Sequence, residues 1–98
     1  MSRFIADPQI GFVGGTAVLE CSTSILSTTA REFTFEWDRE FGISLPLERI
    51  HFSQNRQTLV LTDITTEDSN LFLCRVSAPA TNERFLIIYR INVFGKLC

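Results

Sequence analysis

Few residues in this chain are equipped for chemistry. It holds one histidine, three cysteines and eleven carboxylates, and a catalytic or metal site needs several such groups to converge. His51 lies in Arg49-Ile50-His51-Phe52-Ser53, where alternation buries Ile50 and Phe52 and turns the imidazole to solvent. Cys21, Cys74 and Cys98 stand far apart, no carboxylate cluster has metal-ligand spacing, and no glycine-rich phosphate loop occurs. The chain reads as a non-enzyme with no metal and no cofactor. Its net charge is −2 and its pI about 5.3. The arginines from Arg31 to Arg90 are scattered among acids, unlike the basic stripe of a nucleic-acid surface, so no nucleic-acid partner is expected.

Ninety-eight residues, 45% of them hydrophobic and nine of them phenylalanine, suit a single domain spanning 1–98 with its core at about 4–94. A domain this small buries roughly 60–70% of its unfolded surface. A covalent staple therefore matters, and the cysteines are the candidates. The longest apolar run, Phe85 to Tyr89, breaks at Arg90, so no membrane insertion of this stretch is expected. The chain reads as a fragment of a longer multidomain protein, so the lack of a secretory signal says nothing of the parent. Cys98 lies past the last strand, as a flexible end, the start of a linker or an interchain bridge. No N-x-[ST] sequon occurs, which mildly favours a non-glycosylated setting.

Alternation supplies the elements. Thr16–Ser22 points Ala17, Leu19 and Cys21 one way and Val18 and Glu20 the other; Phe33–Asp38 sends Phe33, Phe35 and Trp37 inward. Arg49–Ser53 and Thr58–Thr62 form a hairpin about Gln54–Gln57, with Leu59 and Leu61 buried. Phe72 and Cys74 share the inner face of Asn70–Val76. Strand Arg84–Phe94 keeps Arg90 and Asn92 out of the core only if Ile87, Tyr89, Ile91 and Val93 face in. Phe4–Pro8 is an edge strand, since Pro8 cannot donate to a ladder, and Ile10–Val13 resumes extended structure. In the Ser/Thr-rich loop Thr23–Arg31, Ile25 or Leu26 plugs the end of the core.

Cys21, then Trp37, then Asp68-x-x-x-Phe72-x-Cys74 is the spacing of the immunoglobulin sandwich, and from about Gly14 to Val93 the chain resembles that family. The resemblance implies an all-β, two-sheet antiparallel sandwich with Greek-key connections. Trp37 would pack on a Cys21–Cys74 disulfide in a core with Leu19, Phe35, Leu61 and Phe72. It also implies a structural Arg49–Asp68 ion pair closing the bottom, and a split first strand that can switch sheets. Phe72 stands where a tyrosine usually hydrogen-bonds back to the corner, so a looser corner is expected. The short interval from Trp37 to Arg49 leaves no room for the variable-type extra strands, so the intermediate (I-set) type is the best match and the C2 type second.

The outward positions of the three strands holding Trp37, Cys74 and Arg90 gather Leu71, Leu73, Arg75, Leu86, Ile88 and Arg90. Four large aliphatics rimmed by charge form a candidate interaction face. The expected function is protein recognition or adhesion through this face, homophilic or heterophilic and open to dimerisation, in an extracellular receptor, adhesion or matrix protein. The alternative is a load-bearing domain of an intracellular muscle or cytoskeletal protein.

Overall fold

Inward and outward side chains alternate along nearly every strand, and this sorts the chain into two layers. The computed structural model describes residues 2–40 and 43–95; the expectations for Cys98 lie outside them. The strands are β1 (Ser2–Ile5), β2 (Gln9–Phe12), β3 (Ala17–Glu20), β4 (Thr34–Arg39), β5 (Ile50–Phe52), β6 (Thr58–Leu61), β7 (Asn70–Ala78) and β8 (Glu83–Phe94). One sheet runs β4-β7-β8, with β1 and β2 both parallel on the far side of β8; the other runs β3-β6-β5. Between β4 and β5 the described residues form a loop and a 3-10 turn, Leu47–Arg49, rather than a strand.

The N-terminal segment departs from expectation. It does not switch sheets: both halves lie on β8. Ser2 pairs with Phe85 and Gln9 with Ile91, so one residue between the halves goes unmatched around Pro8, which has no N–H to give. That single slip reverses the facing of everything after it. Gly11 turns inward and is buried, while Ile10 and Phe12 turn out.

Gly11 is held tightly there. A Cβ at this position would sit 3.2 Å from Ile64 Cδ1, and Ile64 is 1% exposed, with little room to give. Gly11→Val is expected to destabilise by about 1–3 kcal/mol through overpacking. Chemical denaturation measures this; a change within ~0.5 kcal/mol, the range of an inert surface substitution, would contradict the packing.

Between the layers Leu19, Leu59, Leu61, Phe72 and Ile87 are fully buried, with Phe35 close behind. Cys21 and Cys74 form a disulfide across the sheets, and Trp37 is the cross-strand partner of Cys74. Its indole lies 5.4 Å from the Tyr89 ring and donates to the Arg56 carbonyl at 2.7 Å. Tyr89 Oη donates to the Glu20 carbonyl at 2.7 Å, tying β8 to β3 of the opposite sheet; burial pushes this phenol up from its ordinary pKa. Leu26 joins the core while Ile25 stays out, so Leu26 is the plug.

Candidate interaction face

The pairing register fixes which side chains meet on the outer face of the five-stranded sheet. Leu73 stands beside Ile88, Leu71 beside Arg90 and Arg75 beside Leu86. On one flank β4 adds Glu36 next to Arg75 and Asp38 next to Leu73. On the other, β1 adds Arg3 next to Leu86 and Ile5 next to Ile88. Leu71, Leu73 and Ile88 are half-buried. Leu86 faces the same way but is only 8% exposed, which corrects its place among the accessible aliphatics. Its neighbours in register are Arg3 and Arg75, whose stems are long enough to lie over it.

Several highly accessible apolar side chains lie where alternation alone did not point. Ile5 is 82% exposed, Ile10 66%, Phe12 59% and Phe94 53%; all four belong to this face, and the Phe12 and Phe94 rings stand 6.3 Å apart. The apolar surface is therefore displaced from the centre of the sheet toward its N-terminal flank. The signal for it was present in Ile10-Gly11-Phe12: a glycine between two large apolar residues suits a crowded inner position, leaving its neighbours outside.

Charges rim this surface. Arg75 reaches Asp38 at 4.0 Å, both ends open to water, an arrangement worth little on its own. Glu36, Arg75, Ser77 and Arg84 line a shallow concavity at the end nearest the β7–β8 turn. There Glu83 accepts hydrogen bonds from Thr28 and Thr81, and these hold its carboxyl below the ordinary glutamate pKa.

At the bottom of the sandwich, Arg49 donates to both oxygens of Asp68, at 2.8 and 2.9 Å, and also to the carbonyls of Thr62 and Asp63. The Thr65 N–H completes the carboxylate's shell at 2.8 Å. Burial alone would raise the pKa of Asp68, but the Arg49 and Thr65 hydrogen bonds and the nearby positive charges outweigh it and hold it below the usual value. These bonds hold the corner where the tyrosine hydroxyl is missing. The Arg39 guanidinium lies 5.0 Å from the Phe72 ring centroid and donates to the Glu67 carbonyl. Asn70, in β7, accepts the N–H of Leu71. His51 is exposed on β5, at the edge of its sheet. Among the described residues no group of three or more metal-ligating side chains occurs, and no helix is long and apolar enough to cross a membrane.

Two facing sheets, a disulfide between them, a tryptophan on the strand beside it and an arginine–aspartate clamp at the base decide the architecture. The chain has the immunoglobulin fold. Immunoglobulin domains of solved structure superpose on most of it. Sidekick-1 immunoglobulin domains 1–4 match at TM-score 0.67 and 20% identity, over 98% of this chain and 25% of that one. The first immunoglobulin-like domain of human CD48 matches at 0.72 and 12%, over 93% and 84%. A chain of the titin M10–obscurin-like 1 immunoglobulin complex matches at 0.68 and 20%, over 98% and 93%. The chain therefore spans about a quarter of the Sidekick-1 fragment. No protein-family model and no curated protein sequence matches it.

Proposed function

We propose that this immunoglobulin domain is a protein-recognition module that binds through the outer face of its five-stranded sheet. The observation that carries this reading is the exposed apolar surface on this face: Ile5 stands next in register to Ile88 and Leu73, while Ile10, Phe12 and Phe94 lie further along β2 and β8, past Arg90 and Asn92, with Glu36, Asp38 and Arg3 on the flanks. A soluble surface of this composition pairs an apolar centre with a polar rim, the anatomy of a protein interface. We read the module as of intermediate type, with the C2 type second; the absence of a strand among the described residues between β4 and β5 weighs against the variable type.

The setting we infer is extracellular, in a receptor, adhesion or matrix protein, since a disulfide such as Cys21–Cys74 persists mainly in oxidising compartments. The same bond weighs against the alternative, an intracellular load-bearing domain, for which the likeness to a chain of the titin M10–obscurin-like 1 complex is the support.

The test is binding of fluorescently labelled multimers of the domain to a panel of cells, with trypsin-treated cells as the control for a protein partner. Leu73→Glu and Ile88→Glu are each expected to lower binding about tenfold or more, as hot-spot substitutions do, with folding checked by thermal melts. Undiminished binding by both variants would retire the face.

A further inference from the structure

We propose that the partner of this face is a second copy of the chain, and that the two copies pack with their strands running in the same direction about a two-fold axis parallel to them. This rests on the reading of the face as a binding surface. What points to it is the polarity of charge across the sheet. Glu36 and Asp38 on β4 make one flank acidic and Glu40 follows them, with Arg75 on neighbouring β7 offsetting one of these charges; Arg84, Arg90 and Arg3 on β8 and β1 make the other basic, with Asp7 after β1 and Glu83 at the start of β8 its acids. Leu73 and Ile88 lie between the outermost strands, in a row that runs from Asp38 on β4 to Ile5 on β1.

Such a surface can complement itself in one of two ways. A two-fold axis along the strands lays the β4 flank of one copy over the β1 flank of the other, so Glu36 meets Arg3 twice, once on each side, while Leu73 and Ile88 meet across the centre. An axis across the strands lays β4 over β4 and brings Glu36, Asp38 and Glu40 against their own copies. Like charges in register disfavour that arrangement. At the spacings of a sheet, four strands by about six residues measure roughly 20 Å by 20 Å, half the ~800 Å² per partner of a standard interface, so the association is weak and depends on density at a surface.

Analytical ultracentrifugation of the whole chain up to roughly millimolar concentration tests this. The wild type is expected to self-associate reversibly, and less so at high salt. Glu36→Arg or Arg3→Glu alone should raise the dissociation constant about tenfold, since each turns two attractive contacts repulsive, and the two changes combined in one chain should restore it. Direction is read separately. A Glu36→Cys, Arg3→Cys variant in a Cys98→Ser background should form an interchain 36-to-3 disulfide, identified by peptide mapping. A wild type that stays monomeric throughout, or a combined variant no better than either single change, overturns the second-copy proposal while leaving face-dependent cell binding intact. Self-association that survives both Leu73→Glu and Ile88→Glu overturns the reading of the face as well.

Discussion

Removing the Cys21–Cys74 bond by changing both residues to alanine is expected to destabilise the domain by roughly 4 kcal/mol. The bond closes a loop over a separation of 53 residues, and in the chain-entropy model a loop of that length restricts the unfolded chain by about this amount. Against a total stability of about 5–15 kcal/mol for a small domain, such a loss takes much of the margin. Denaturant titration of the oxidised wild type and the double variant measures it directly. A difference below ~1 kcal/mol would mean that the bond does little to hold the sheets together. Thiol titration supplies the companion number. In denaturant without reductant one reactive cysteine is expected, Cys98, and after reduction all three; three before reduction would place the protein in a reducing setting and revive the intracellular reading.

Replacing Arg49 by methionine is expected to cost a comparable amount, about 3 kcal/mol at neutral pH. The Asp68 side chain is 2% exposed, and the substitution leaves its charge buried with the Thr65 N–H as its remaining donor among the described contacts; breaking a buried pair from one side costs roughly 3–5 kcal/mol. The lower end applies because the Arg49 side chain is 21% exposed. The pH dependence has a definite sign. The folded pKa of Asp68 is depressed, so the stabilisation is fully present above the ordinary aspartate value of about 3.9 and is lost as pH falls through the lower, folded value. The gap between wild type and Arg49→Met should therefore narrow as acid is added, because the neutral carboxyl no longer needs the arginine. A gap that is constant from neutral pH down to where the wild type unfolds would show that Arg49 acts by packing alone. Asp68→Asn separates the terms further, since it removes the charge but keeps an acceptor for Thr65.

Much of this was legible in the residues. Cys21, Trp37 and Cys74, with alternation around each, place the core strands, and Arg49 and Asp68 meet at 2.8 Å as the resemblance implies. The facing of β8 follows from keeping Arg90 out of the core. What periodicity could not show depends on register between strands remote in sequence. Whether β2 presents Ile10 and Phe12 or Gln9 and Gly11 to solvent turns on one unmatched residue around Pro8, and a period-two pattern carries no information about such a slip. Burial of Leu86 likewise depends on Arg3, on a parallel neighbour 83 positions earlier in the chain. One contact at the corner was out of reach for a different reason. Phe72 correctly announces a missing hydroxyl, but the guanidinium of Arg39 that covers its ring comes from β4, a contact with no local signature.

The most direct test of the account compares two exposed aliphatics on opposite sheets. Ile5 lies on the proposed binding face at 82% exposure and Val18 on the outer face of β3 at 50%; glutamate at either should leave folding nearly unchanged. In the same multimer assay on cells, Ile5→Glu is predicted to lower binding about tenfold and Val18→Glu to leave it as it was. Equal binding by the two variants, or a loss confined to Val18→Glu, would contradict the assignment of recognition to this face.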